Sequence, residues 1–351
     1  MGSQAWRATA SVSDDLIGLP KAELHLHLEG AIRPATVLAL ARQHGVALPF
    51  VDEEALERAL EFGDFLQFLD AFAAVNLCLC TNGDFERITA ELVEDLAAQN
   101  VLYAELRYSP MRPMQRGLAF DDITAAVVAG AEAGMRLHPE THVELICGLT
   151  RQFGADEGLA CTRQATRWVG RGIVGLDLGG DEAGHPAELF AQAYRVARDA
   201  GLQLTAHAGE AAGPASVRTA VTTLGARRIG HGLRAMEDMG VLALLRAEDV
   251  TLEVCPTSNV RTRVVAGYAQ HPLRRLHDAG VKVTLSSDDP AMFRTSISQE
   301  YAVAEREFGF SRQELWGLTR QAVQAGFCAE PEKARLLRQL DASGNPPRLA
   351  R

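Results

Sequence analysis

Eight short apolar runs alternating with helical stretches constrain the fold of this 351-residue chain more than any other feature. The runs lie at 22–30, 102–108, 142–149, 173–178, 203–207, 228–231, 251–255 and 282–286, each long enough for one strand. Helical periodicity fills the later gaps at 187–200, 216–224, 238–247 and 272–279, and Gly201 and Gly280 stand where helices end before strands. Strand-helix alternation repeated eight times predicts an α/β fold of the (β/α)8 TIM-barrel type rather than a doubly wound sheet. The first connection is longer than the rest. Pro34 opens a helix to about residue 44, a second covers 52–61, a third starts at Asp64, and Asp84 caps a fourth to about residue 99. These are extra helices inserted after strand 1, and part of the insert is expected to cover the barrel mouth. With no repeat or linker in the sequence, one domain is expected over 14–344, with loose tails at 1–13 and 345–351.

Charge and cysteine usage exclude several classes. A net charge of -10, from 35 basic and 45 acidic residues, argues against a nucleic-acid or acidic-membrane binder. No apolar run approaches ~18 residues and no signal-peptide pattern opens the chain, so a cytoplasmic protein is expected. The six cysteines are scattered through apolar contexts and are expected to be buried, reduced thiols.

In a barrel of this type, catalytic residues gather where strand C-terminal ends converge. The first run reads Glu23-Leu24-His25-Leu26-His27-Leu28-Glu29-Gly30. As a strand it puts the leucines on one face and His25, His27 and Glu29 on the other. Two imidazoles two residues apart can reach one metal ion. Strand four runs into Gly180-Asp181-Glu182, strand five into His207-Ala208-Gly209-Glu210, strand six into His231-Gly232, and strand eight into Asp288-Asp289. Four histidines and a carboxylate pair therefore meet at one mouth.

His25, His27, His207 and one carboxylate would hold a zinc with a position left for water. Adjacent Asp288 and Asp289 cannot point the same way, so one ligates and the other is free for substrate. Zinc can lower the pKa of bound water from ~15.7 to ~7. His231 can orient that water or accept its proton, and Glu210 is placed to donate a proton to the electrophile. These roles describe hydrolysis at an electron-poor carbon. The remaining histidines (His44, His138, His142, His185, His271 and His277) read as structural or solvent-facing, with His185 close to the loop after strand four.

The motifs at 20–30, 207–210, 231–232 and 287–290, with Tyr103-Ala104-Glu105-Leu106-Arg107-Tyr108, Asp177-Leu178-Gly179-Gly180-Asp181-Glu182 and Cys255-Pro256-Thr257-Ser258-Asn259, resemble the adenosine deaminase family of the amidohydrolase superfamily. The resemblance implies one zinc per chain on His25, His27, His207 and Asp288. It implies Glu210 as the acid at purine N1 and His231 as the residue orienting and deprotonating the water. Asp289 matches the carboxylate at water and N7, and Gly180 the donor to N3. Phe65, Leu66 and Leu69 resemble an apolar gate. His27 and Glu29 would complete the substrate contacts.

The implied reaction is deamination of adenosine or 2′-deoxyadenosine to an inosine-type product and ammonia, with a small purine nucleoside or base as partner and neither nucleic acid nor membrane. Two alternatives stay in the same chemistry: an adenine deaminase, or a deaminase of a larger adenine nucleoside such as aminodeoxyfutalosine. Glu29 stands where adenosine-acting members commonly carry Asp, and Gly184-His185-Pro186 resembles the adenine-acting group, whereas the intact Gly180-Asp181-Glu182 points to a nucleoside. An inactive zinc-binding nucleoside sensor is the reading from another class, opposed by Glu210, His231 and Asp289. The 173–178 run lacks the lysine that binuclear relatives in the superfamily use, and the Pro-Cys-x-x-Cys of cytidine-deaminase sites is absent.

Overall fold

The computed structural model describes residues 12–50 and 52–344. Apart from Val12 and Ser13, the expected tails lie outside the described residues. Strands β1 (Lys21–His27), β2 (Val101–Tyr108), β3 (His142–Thr150), β4 (Ile173–Gly179), β5 (Gln203–Ala208), β6 (Arg228–His231), β7 (Thr251–Val254) and β8 (Lys282–Leu285) lie side by side in chain order. All seven neighbouring pairs are parallel. The ring closes beyond the end of β8, where His27 N–H donates to Asp288 carbonyl (2.8 Å) and Asp288 N–H to His25 carbonyl (3.1 Å). The closing contacts are therefore made by the segments that carry candidate metal ligands. This is the (β/α)8 barrel that the alternation predicts.

The first strand is shorter than its sequence suggests. Leu28 N–H makes the last bond of the run, to Arg107 carbonyl, and Leu28 itself turns to helical dihedrals (φ -56°, ψ -46°). Glu29–Ala31 then forms a single 3-10 turn, so Glu29 does not continue the strand face of His27. The turn is tight for a steric reason: a Cβ on Gly30 would overlap the carboxylate of Asp289.

The four inserted helices are Pro34–His44, Glu53–Ala59, Phe65–Asn76 and Asn82–Ala97. Asp52 and Asp64 each accept from the third residue beyond, which fixes the starts of the second and third. The fourth helix differs from expectation. Thr81 is its N-cap, and Asp84 is the reciprocal member of a capping box, accepting from Thr81 N–H at 2.7 Å. Asp84 also meets His44 (3.0 Å), tying the first and fourth helices together.

Inside the ring the core is ionic as well as apolar. Arg107 on β2 pairs with Asp177 on β4 (3.1 Å) and with Glu253 on β7. Arg228 on β6 pairs with Glu253 (2.7 Å) and with Glu105 on β2. These strands are not all neighbours, so the contacts cross the barrel interior. All five residues are at most 1% exposed. Carbonyl Leu24 takes a further bond from Arg107. Burial alone would raise the Glu253 carboxyl, yet Arg107 and Arg228 hold it down to about 2.

Candidate active site

Four side chains converge at the C-terminal mouth. His27 Nε2 lies 3.2 Å from His207 Nε2 and 3.4 Å from Asp288 Oδ1, and His25 Nε2 lies 3.2 Å from the same oxygen. His25 Nε2 is buried with no hydrogen-bond partner. The outward nitrogens are already engaged: His25 Nδ1 with Glu253 (3.1 Å) and His207 Nδ1 with Asp177 (3.0 Å). A carboxylate on the far nitrogen fixes each ring's tautomer and turns Nε2 toward the centre, as metal-ligating imidazoles require. Ser258 Oγ donates to Asp288 Oδ2 at 2.7 Å and holds the fourth ligand candidate.

Electrostatics favour ligation by His27 and Asp288. Burial holds the His27 imidazole well below its ordinary value, so it is neutral and able to ligate. Burial opposes ionisation of Asp288, but His25 and the other imidazoles around it keep its carboxyl well below the usual range. A metal-capable grouping of His25, His207, His231 and Asp288 also exists by distance, as does one of His27, Asp288 and Asp289. His231 belongs to the first of these groupings. Its Nδ1 is taken by Asn259 (3.1 Å), and its Nε2 lies 3.8 Å from Asp288 Oδ2 and 3.5 Å from Glu210 Oε2.

The remaining polar groups line a cavity beside this cluster. Glu210 is 6% exposed, and burial, with Asp288 and Glu182 beside it, holds its carboxyl well above the usual carboxylate range. A neutral carboxylic acid at that place can donate a proton. Burial and the adjacent Asp288 push Asp289 the same way. Gly180 also lines the cavity, at φ 98°, and a Cβ there would strike Gln152, so the position requires glycine.

Phe65, Phe68, Leu69 and Phe72 cover the cavity with one face of the Phe65–Asn76 helix. Leu66, expected in the gate, is 61% exposed and points away. Helical spacing explains the correction: positions 65, 68, 69 and 72 share a face, and 66 lies about 100° round from 65.

Glu29 does not itself line the cavity, although Ser109 beside it does. Its Oε1 accepts from Ser109 N–H at 2.7 Å, and it borders a small apolar pocket with Ile32, Val37 and Met292 instead. Burial pushes its carboxyl up to about 7. Glu182 has a purely internal task. It accepts the backbone N–H groups of Gly209 (2.6 Å), Glu210 (3.1 Å), Ala211 (2.8 Å) and Ala212 (2.9 Å), and so clamps the loop that carries Glu210. His185 is partly exposed and meets Asp181 at 3.4 Å.

Sequence reasoning missed the groups that orient the site: Glu253, Arg107, Asn259 and His271. The signal for Arg107 was available, since Glu105-Leu106-Arg107 places two charges on the same face of an otherwise apolar strand. For His271, which bonds Asn259 behind His231, no local signal exists.

A family model described as Adenosine deaminase matches residues 20–343. An adenine deaminase of Rhizobium meliloti is 40% identical over 92% of this chain and 98% of its own length. An adenosine deaminase of Shewanella loihica is 38% identical over 91% and 97%. The structure superposes with TM-score 0.87 on a Burkholderia ambifaria amidohydrolase with bound Zn, 28% identical, covering 97% of this chain and 96% of that one. Match length, shared barrel and the convergence of these strand ends together place the chain in the adenosine deaminase family of hydrolytic deaminases.

Proposed function

We propose that the chain deaminates free adenine, releasing ammonia and leaving hypoxanthine, in preference to the nucleosides that the sequence favours. Glu29 carries this reading. A nucleoside needs that carboxylate to face the sugar, whereas Glu29 is buried, bonded to Ser109 and absent from the cavity wall. The counter-signal in the sequence, the intact Gly180-Asp181-Glu182, loses its force. Glu182 has a substrate-independent role in holding the Glu210 loop.

The donor set of His25, His27, His207 and Asp288 suits one zinc, and the unpartnered Nε2 of His25 supports the fit. When bound, the ion would make water a nucleophile near neutral pH. The chain's own residues do the rest. Glu210, kept neutral by burial, donates to ring N1 and makes C6 more electrophilic. Gly180 N–H meets N3, Asp289 meets N7, and the Phe65, Phe68, Leu69 and Phe72 face covers the ring and excludes bulk water. Asp177 and Glu253 keep two imidazoles in the ligating tautomer.

A second reading, an N9-substituted substrate, is favoured by Arg112. It lines the cavity with Asn76 and Gln152 and could meet a polar or anionic group on N9. Comparing kcat/KM for adenine, adenosine, 2′-deoxyadenosine and larger adenine nucleosides decides between the two. Adenine is expected to lead, and any N9-substituted compound exceeding it overturns the preference. Metal analysis should give about one zinc per chain, and two equivalents that activity needs would overturn the mononuclear site.

A further inference from the structure

We propose that His231 serves the reaction as a hydrogen-bond donor through Nε2–H, its tautomer set by a relay running from Leu273 N–H through His271 and Asn259. The direction of every bond follows from the first. Leu273 N–H lies 3.2 Å from His271 Nδ1. A backbone N–H can only donate, so this nitrogen accepts. The proton of a neutral His271 ring must then sit on Nε2, 3.1 Å from Asn259 Oδ1. Burial supports the neutral ring by lowering its pKa to about 3.

The amide of Asn259 is fixed in turn. Flipped over, its NH2 would face the Nε2–H of His271, donor against donor. In the orientation allowed, its NH2 lies 3.1 Å from His231 Nδ1 and donates to it. His231 therefore carries its proton on Nε2. That nitrogen faces acceptors in the cavity, Glu210 Oε2 at 3.5 Å and Asp288 Oδ2 at 3.8 Å. All three relay side chains are buried, at 1% exposure for His231, 0% for Asn259 and 5% for His271, so water does not compete with the chain of bonds. His231 also sits at φ 61°, an uncommon conformation for a residue with a Cβ, which aims the ring at the relay and the cavity together.

Of the two roles expected for His231, this arrangement supports the first: it orients the attacking water by donating to the oxygen. Asn259 and His271 are positioning residues. The chemistry assigned to His231 rests on the deaminase reading, whereas the bond directions do not.

Asn259→Asp is the decisive variant, because a carboxylate only accepts and would force the proton of His231 onto Nδ1. The metal-loaded protein, labelled with 15N-histidine and assigned against a His231→Gln spectrum, should show a protonated Nε2 and an unprotonated Nδ1. Asn259→Asp should reverse that pattern and lower kcat about 10²–10⁴-fold, the scale of a wrong tautomer or a lost acid–base group, with little change in KM. A protonated Nδ1 in the unaltered protein overturns the relay, even if the variant does not fold. Full adenine turnover with that pattern would leave the functional reading standing. A protonated Nε2 in a protein inactive on every aminopurine would uphold the relay and sink that reading instead.

Discussion

Exchanging Glu182 for Gln keeps the side chain's size and removes its charge. In the structure Oε2 collects three N–H groups, from Glu210, Ala211 and Ala212, and Oε1 takes the shortest bond, from Gly209. The single amide oxygen can keep the triple site, but the NH2 then confronts Gly209 N–H. A hydrogen bond to a charged group contributes about 1.5–3 kcal/mol, and a buried N–H left without a partner costs about 1–3 kcal/mol. Because the contacts share one carboxylate and are not additive, Glu182→Gln should destabilise the fold by about 2–5 kcal/mol. Displacement of the loop also moves Glu210, and a misplacement of about 1 Å can cost about 10²-fold in rate. Urea denaturation followed by two probes measures the first effect and kcat the second. The ratio of adenine to adenosine turnover should not change. Unaltered stability, or a loss confined to the nucleoside, would refute the loop-clamp reasoning and return Glu182 to a substrate contact.

Glu210→Gln should keep its zinc and lose about 10²–10⁴-fold in kcat, since an amide cannot replace the neutral acid; a near-normal rate at full metal occupancy would show that the proton comes from elsewhere. Leu66→Ser should change stability by less than about 0.5 kcal/mol and leave turnover intact, as an exposed site does, whereas Leu69→Ser should raise KM by wetting the cavity. Equal effects of the two serines would contradict the face assignment. Glu300, buried at 0% exposure, has its carboxyl raised to about 7 by burial despite bonds from Thr257 and Thr295. The folded protein thus holds a proton that the unfolded chain releases near pH 4.5, and this stabilisation is complete below that pH and is lost as pH rises through about 7. Over that window Glu300→Gln should remove a decline of up to about 3 kcal/mol. Parallel stability curves for the two proteins from pH 4.5 to 7.5 would rule this out.

The barrel and the meeting of His25 and His27 with His207 and Asp288 at its mouth were legible because the alternation and the first strand are written in short periods. Strand-helix alternation needs only local pattern, and His25 and His27 reveal themselves by the two-residue repeat of one strand. What sequence did not disclose depends on where a period stops or on contacts across the ring. Glu29 keeps the spacing of the strand but falls after Leu28 has turned, so its expected alignment with His27 fails. Leu66 satisfies apolar composition but not the angular position on its helix. Asp84 looks like a cap from its place before an apolar run, yet Thr81 three residues earlier holds that role. Glu253 and Asp177 gain their meaning only from imidazoles on other strands, and His271 only from an amide that reaches it after folding.

The ionic interior also bears on how the chain assembles. Glu105, Arg107 and Asp177 belong to the first four strands, Arg228 and Glu253 to the last four. The first set pairs Arg107 with Asp177 and the last set pairs Arg228 with Glu253, but Glu105 has its partner only in the other half, and breaking a buried pair typically costs about 3–5 kcal/mol. A half-barrel of the first four strands would therefore bury Glu105 uncompensated. The ionic group is completed when Arg228 meets Glu105 and Arg107 meets Glu253. The ionic group that includes Asp177 and Glu253, the partners of His207 and His25, thus favours closure of the whole ring over a resting half-barrel.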